Sequence, residues 1–156
     1  MVFDKVMAKK KNRAKKPKQK HNPSRSKSPN GIEAAKCIPN AKFCWRVDDV
    51  DLDGNWGWDK PNSDILFKTI IPKLHNFESM NWAEVEGAEN HFISCEFICK
   101  DAQNRLKDLN KSDLEEIFSL RISGKQRIFG VRIGFALHLL WWDPKHEVCP
   151  SNKKHT

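Results

Sequence analysis

The chain has 156 residues and a formal net charge of +8, a length that suits one domain with its own hydrophobic core. It contains no run near the roughly 20 apolar residues of a membrane-spanning helix, and its polar, basic N-terminus does not resemble a secretory signal, so we expect a cytoplasmic protein without membrane contact. The five cysteines include no CxxC pair, which favours reduced thiols over disulfides.

Positive charge is concentrated at the two ends of the chain. Residues 1–30 contain eleven Lys or Arg and a single acid, Asp4, while residues 117–156 contain seven Lys or Arg and two acids. The N-terminal stretch buries too little apolar surface to offset its ordering entropy. We therefore predict a disordered basic tail over 1–30, either a nucleic-acid-binding arm or a solubilising extension, followed by one domain over 31–156.

A short strand is predicted at 42–47 (KFCWRV), where side-chain character alternates. Four residues after it match the first positions of a calcium-binding loop: Asp49, Asp51, Asp53 and Gly54. Such a loop ends in a bidentate glutamate at its twelfth position, but Lys60 occupies that place. The preferred interpretation is an Asp-Gly turn that leads into the packing residues Trp56 and Trp58.

A helical pattern follows this turn. Ser63 can cap a helix whose apolar stripe extends over 65–77. Pro72 predicts a kink or a break near Ile71, because proline has no N–H and its ring crowds the preceding turn. Asn81 can cap a further short turn.

Three potential zinc ligands, His91, Cys95 and Cys99, are spaced so that a helix would place them on one face. Structural zinc usually needs four ligands and no second pair is nearby, so ordinary core cysteines are the preferred interpretation, and we predict no metal or other cofactor. The overlapping segment 96–109 is predicted to be an amphipathic helix that covers the apolar face of a sheet, with Phe97 among its inward residues.

Three apolar runs, 117–122, 127–133 and 136–142, dominate the C-terminal part of the chain. β-Branched and aromatic residues are frequent in each run, and short gaps containing Gly124 or Gly134 separate them, which predicts an antiparallel three-stranded meander. Alternation predicts one buried face and one wet, basic face. With the first strand and two helices, the prediction is an α+β, two-layer domain of order β-α-α-β-β-β with helices packed on one face.

This order of elements resembles the RelE/ParE toxin superfamily, and the resemblance covers about residues 94–150. Family members carry a strand of the form xYRVxYR after a Gly-containing turn, and 126–132 (QRIFGVR) takes its place here. Their last strand leads into a segment with a histidine, matched by 137–142 and the following DPKH (143–146). The ending WWDPKHEVCPS is also similar to that of small bacterial proteins with toxin-like domains. The chain has no tyrosine, whereas many ribosome-dependent members use one near the C-terminus.

The resemblance implies a site in which basic residues on the sheet orient the scissile phosphate of RNA while the ribose 2′-hydroxyl attacks it. Arginine suits this task because it is a permanently charged, fork-shaped donor. On this basis Arg127, Arg132 and His146 are the predicted catalytic residues, with the histidine as the proton-transfer group. The predicted nucleic-acid-binding residues are Arg121, Lys125, His138, Trp142, Lys153 and Lys154.

Each of these assignments has a structural alternative. The arginines could form a solvated sheet face paired with acidic residues. His146 could simply belong to the turn that Asp143 initiates, and His138 could be either a partner of the arginines on the wet face or a buried core residue.

The adjacent residues Trp141 and Trp142 should face opposite sides of the sheet. We expect one ring to lie in the core and the other on the basic surface. A surface tryptophan could stack on a nucleic-acid base, although packing under the first strand is an equal alternative.

The predicted function is that of a toxin-like RNA-binding protein, and the more specific prediction is a ribosome-associated mRNA endoribonuclease of a toxin-antitoxin system. The first alternative is a ParE-like inhibitor that acts on a protein target. The second is a basic nucleic-acid-binding protein without enzymatic activity. The expected partners are RNA or the ribosome, together with an antitoxin protein.

Overall fold

A five-stranded mixed sheet organises residues 40–151, the part of the chain that this computed structural model describes. Its strands are β1 (Cys44–Arg46), β2 (His91–Ser94), β3 (Glu116–Ser123), β4 (Gln126–Ile133) and β5 (Ala136–Asp143). The order across the sheet is β1-β5-β4-β3-β2, and β1 is parallel to β5. The predicted α+β class is confirmed. The predicted tail over 1–30 lies outside the described residues.

The predicted meander is confirmed as β3, β4 and β5, which pair antiparallel with one another. Two short turns connect them, and each contains a glycine with positive φ: Gly124 at 49° and Gly134 at 63°. Tight hairpin turns need this backbone conformation to match the right-handed twist of the strands, and glycine adopts it without steric cost. These turns therefore fix which residues of neighbouring strands lie opposite each other.

A helical segment precedes the rest of the sheet, and it consists of α1 (Ser63–Ile65), a π-helical turn (Leu66–Ile70) and α2 (Ile71–Glu78). The Asn62 side chain, rather than Ser63, caps it by accepting a hydrogen bond from the Ile65 backbone N–H at 2.9 Å. Pro72 is the second residue after the π-helical turn. The wider turn carries the helix past the proline, so the break predicted near Ile71 is a local change of helix type instead.

Asn81 caps the short helix α3 (Trp82–Val85) as predicted, in a reciprocal capping box with Glu84. The segment that follows differs from the sequence prediction. His91 belongs to strand β2, Cys99 caps α4 (Lys100–Asp108), and Phe97 lies in the intervening turn with 70% of its surface exposed. An additional edge strand thus precedes the helical segment, and residues 96–99, the first part of the predicted helix over 96–109, form a turn and the N-cap of α4.

Helices pack on both faces of the sheet, so the prediction of helices on one face is wrong. The first core joins Leu74 of α2 and Trp82 of α3 to one face of the meander, where Phe118 is fully buried. The second core joins Leu106 of α4 to the opposite face, through Phe129. Apolar residues therefore cover both sides of the central strands, and the predicted wet face is confined to the ends of the strands and the edge of the sheet.

The two adjacent tryptophans show how one strand serves both cores. Trp142 lies in the first core and Trp141 in the second, together with its neighbour Leu140. Two consecutive residues share a face because the register between β4 and β5 shifts at this point. Gly130 allows the shift, since a Cβ atom there would be 2.6 Å from the carbonyl oxygen of His138.

Candidate basic pocket

Two of the predicted arginines lie opposite each other on adjacent strands. Arg121 of β3 pairs directly with Arg127 of β4, so their side chains leave the sheet on the same face. This is the face of the second core, because Arg121 and Ile117 have the same parity along β3 and Ile117 belongs to that core. Both arginines are only partly buried because they lie at the end of the strands, next to the Gly124 turn.

Arg127 opens onto a cavity of about 430 Å³, which we call the basic pocket. Its other charged or titratable lining residues are Lys125 from the β3–β4 turn, with Lys145 and His146 from the loop after β5. The remaining lining residues are Gly124, Pro150 and Ser151. Two segments that are distant in sequence therefore bring an arginine, two lysines and an imidazole to one opening.

A buried carboxylate shapes the loop that carries His146. Asp143 is fully buried at the end of β5. Its Oδ1 accepts hydrogen bonds from the backbone N–H groups of Lys145 (3.2 Å) and Glu147 (3.0 Å), and its Oδ2 accepts one from Val148 (2.9 Å). The expected role of Asp143 in the turn is thus confirmed, and this side chain fixes the position of the loop on both sides of the histidine.

The backbone of His146 has an unusual conformation, with φ at 62°. A residue with a side chain reaches this left-handed region at a cost of roughly 1 kcal/mol or more. The bonds to Asp143 offset that cost, and they hold the imidazole at the rim of the basic pocket. Strained backbone of this kind is concentrated at functional sites.

The electrostatic environment favours a neutral imidazole. Burial lowers the pKa of His146, and the positive charge of Arg127 lowers it further, while the Asp143 carboxylate opposes the change. His91 and Lys125 add smaller effects in the lowering direction. A histidine with a lowered pKa is deprotonated at neutral pH and can accept a proton.

Arg127 is held by its own turn. Its Nη1 donates to the carbonyl oxygens of Gly124 (2.8 Å) and Gln126 (3.1 Å). Burial and the nearby charge of Arg121 lower the pKa of Arg127, but a guanidinium stays charged in proteins. Glu89 forms an ion pair with Arg121, so Arg127 is the less neutralised of the two arginines.

Arg132 does not belong to this site. It is 6% exposed, its guanidinium carbon is 4.0 Å from the centroid of the Trp82 ring, and its Nε donates to the carbonyl oxygen of Gly134 at 3.2 Å. Arg132 is five positions after Arg127 along β4, and an odd number of positions along a strand places two side chains on opposite faces. The predicted catalytic role of Arg132 is therefore wrong, and its position is that of a packing residue beside the first core.

Two of the predicted nucleic-acid-binding residues, His138 and Trp142, also lie away from the basic pocket. His138 shares the face of Arg127 but lies at the other end of β5, with its Nδ1 2.8 Å from Asp48 Oδ1. Trp142 is 2% exposed in the first core and Trp141 is fully buried in the second, so neither ring can stack on a base. Lys153 and Lys154 lie outside the described residues.

In the part of the chain that the structure describes, the potential metal ligands of the acidic loop (49–54) and of the segment 91–99 do not come together in a metal site. Asp51 accepts hydrogen bonds from Arg105 Nε (2.8 Å) and Nη2 (2.7 Å) and from Trp141 Nε1 (3.0 Å). Burial raises the pKa of Asp51, but these bonds and the charge of Arg105 outweigh it, and the net effect is a lowered pKa. Gly54 has φ at 84°, in agreement with the predicted Asp-Gly turn. Within 40–151, no group of three or more His, Cys, Asp or Glu side chains could hold a metal ion.

The sequence does not predict a role in this site for two residues, Lys145 and His91. Lys145 lines the cavity, and its place next to His146 in a loop was the only available signal. The spacing of His91 to Cys95 fits metal ligands on a helix, whereas His91 lies on strand β2. A four-residue edge strand is too short for its alternation to be distinguished from that spacing.

Comparison of the chain with models of protein families, with curated proteins and with solved structures finds no match. The resemblance to RelE/ParE toxins therefore stays a prediction. Between residues 40 and 151, no helix has the length and apolar character needed to cross a membrane.

Proposed function

We propose that the protein is a toxin-like RNA-binding protein that cleaves RNA at the basic pocket. The observation that carries this proposal is the convergence of Lys125, Arg127 and Lys145 on one opening with His146. Fixed cations at an open cavity suit an anionic polymer. An imidazole that burial and neighbouring cations keep neutral suits proton abstraction in the same place.

The proposed reaction is a transesterification within the RNA chain. His146 takes the proton from a ribose 2′-hydroxyl, the 2′-oxygen forms a bond to the adjacent phosphorus, and the bond from phosphorus to the 5′-oxygen breaks. The products are a 2′,3′-cyclic phosphate and a 5′-hydroxyl, with the leaving oxygen taking up a proton. Arg127 and Lys125 stabilise the charge that develops on the phosphate oxygens.

A second cavity lies next to the basic pocket. It has a volume of about 460 Å³, and Arg121 and Gly124 are among its lining residues. Since Gly124 also lines the basic pocket, the two cavities meet at the β3–β4 turn. Lys73 and Asn90 supply a further cation and an amide, but Glu84 and Glu89 also line this cavity and balance its two cations. We therefore propose RNA binding at the basic pocket and not at this second cavity.

The family resemblance extends the proposal to partners. RelE/ParE toxins act inside the cytoplasm and are held inactive by an antitoxin protein, and many of the RNA-cleaving members work on the ribosome. We propose the same setting here, with mRNA on the ribosome as substrate and an antitoxin that covers the basic pocket.

The test combines growth and cleavage. Inducible expression of the full chain should arrest growth and fragment transcripts, and purified protein should cleave mRNA in the presence of ribosomes to leave 2′,3′-cyclic phosphate ends. Arg127→Ala and His146→Gln should each reduce cleavage by about 100-fold or more, since each removes one component of transition-state stabilisation or proton transfer.

Matched controls are available away from the basic pocket. Arg46 and His75 have strongly exposed side chains on β1 and α2, so Arg46→Ala and His75→Gln should leave cleavage unchanged. Growth arrest that survives Arg127→Ala and His146→Gln would contradict the proposal and point to a protein target. Binding of RNA without cleavage by the wild-type protein would leave a non-enzymatic nucleic-acid-binding protein.

A further inference from the structure

His91 is an exposed imidazole that the family resemblance does not assign to the site. It is the first residue of β2, the strand at one edge of the sheet. It pairs directly with Ser119 of β3, and its side chain is exposed whereas that of Ser119 is buried. The edge position leaves the imidazole accessible to a large substrate.

The strand register places His91 on the same face as the two arginines. Directly paired residues in antiparallel strands share a face, and residues two apart along one strand do so as well. His91 therefore shares the face of Ser119 and hence of Arg121. Because Arg121 pairs with Arg127, the face of His91 is also the face on which the basic pocket opens.

Strand pairing also places His91 near the basic pocket, because its partner Ser119 lies two residues before Arg121, which pairs with Arg127. The groups that lower the pKa of His146 are its burial, then Arg127, and after them His91 and Lys125. The two imidazoles thus approach one site from different sides, His146 from the loop after β5 and His91 from the edge strand. Arg127 lies on β4, between the loop after β5 and the edge strand β2.

We propose that His91 is the second proton-transfer residue of the site, the general acid that protonates the leaving 5′-oxygen. This inference rests on the proposed RNA cleavage, in which His146 acts as the base. As the bond from phosphorus to the 5′-oxygen breaks, the imidazolium of His91 gives its proton to that oxygen, so the proton removed from the 2′-hydroxyl is balanced by the one delivered. The exposed position of His91 lets solvent return the proton after each turnover.

A modified substrate separates this role from a structural one. In an RNA whose bridging 5′-oxygen is replaced by sulfur, the leaving group is a thiolate, which needs no protonation because thiols have pKa values near 8.5. His91→Gln should cleave ordinary RNA about 100-fold more slowly than the wild type. It should cleave the sulfur-containing RNA at nearly the wild-type rate. His146→Gln should be slow on both substrates, because the sulfur substitution does not replace the base.

Several outcomes would overturn the inference. His91→Gln that cleaves ordinary RNA at the wild-type rate would show that the imidazole is only a surface residue. Equal losses on both substrates would indicate binding rather than proton transfer. If the wild-type protein cleaves neither RNA, both the proposed function and the role of His91 are wrong. If the wild-type protein is active and His91→Gln is equally active, only the role of His91 is wrong. His91→Asn serves as a second variant, and His75→Gln as the matched control for an exposed histidine.

Discussion

Replacing Asp143 by asparagine should both destabilise the protein and disorganise the basic pocket. The carboxylate accepts three backbone hydrogen bonds, two at Oδ1 and one at Oδ2. Asparagine has the same shape but offers one acceptor oxygen, so in its better orientation its NH₂ group faces the Val148 N–H, which then has no acceptor. Val148 is fully buried, and water cannot replace the missing bond.

The size of the effect follows from these contacts. An unsatisfied buried N–H costs about 1–3 kcal/mol, and the two bonds that remain lose the strength that the negative charge gave them, roughly another 1 kcal/mol in total. The free energy of unfolding should therefore fall by about 2–4 kcal/mol. Most domains are stable by about 5–15 kcal/mol, so the variant should still fold.

Urea denaturation of Asp143→Asn and the wild type measures this difference directly, through the shift of the midpoint at constant slope. Asp59→Asn is the matched control, because Asp59 is exposed and its carboxylate pairs with the exposed neighbour Lys60; its effect should stay within about 0.5 kcal/mol. RNA cleavage by Asp143→Asn should fall under conditions in which the variant is folded. A variant as stable as the wild type would refute the claim that this carboxylate holds the His146 loop.

Three further predictions concern the residues that the structure reassigns or perturbs. Arg132→Gln should lower the free energy of unfolding by about 2 kcal/mol, because it removes the guanidinium packed on Trp82, while cleavage by the folded protein stays unchanged; a large loss of cleavage without a loss of stability would contradict the packing role. Trp142→Ala should cost about 3–5 kcal/mol, since the ring is 2% exposed, and thermal unfolding measures it. The third concerns His146, whose pKa is lowered in the folded state by burial and by Arg127, with smaller effects from His91 and Lys125 and opposition from Asp143. The unfolded chain binds the proton of His146 more readily than the folded protein does. Protonation of His146 therefore leaves the free energy of unfolding unchanged above about pH 6.5 and lowers it as the pH falls below that value. His146→Gln should therefore reduce the loss of stability between neutral and mildly acidic pH in urea titrations, and an unchanged pH dependence would contradict the perturbed environment.

The meander was predictable because its signals are local. Each of its strands is a run of β-branched and aromatic residues, and the glycines at 124 and 134 take positive φ in the turns where the sequence places them. The helix start near Ser63 was found for the same reason, with an error of one residue in the cap. Propensity and turn chemistry determine such elements, and a single sequence contains both.

The arrangement of the helices around the sheet was not predictable in the same way. Ile117 and Phe118 are both buried, on opposite faces, and a strand that is apolar on both sides reads as a continuous run rather than an alternation. Which helix covers which face depends on long-range packing. The position of Arg132, in contrast, could have been derived, because an odd separation from Arg127 already places the two side chains on opposite faces of β4.

The sequence could predict the part of the basic pocket at the β3–β4 turn, but not the part formed by the loop after β5. Arg127 and Lys125 flank a turn that the sequence identifies, so their proximity is a local property. The approach of His146 depends on the hydrogen bonds of Asp143 and on a left-handed backbone, and that of His91 depends on an edge strand that pairs with β3. Neither contact has a signature along the chain.

The most direct test of the central claim, that an RNA phosphate binds between Arg127 and His146, is an NMR titration of the histidine rings. The full chain, labelled with ¹⁵N, is titrated with a short RNA whose 2′-oxygens are methylated, so that it cannot be cleaved. The ring signals of His146 should shift and saturate, those of His91 should follow with the same midpoint, and those of His75 on α2 should stay in place. Saturable RNA binding that leaves the His146 signals unmoved would contradict the claim, because the bound phosphates would then lie elsewhere on the protein.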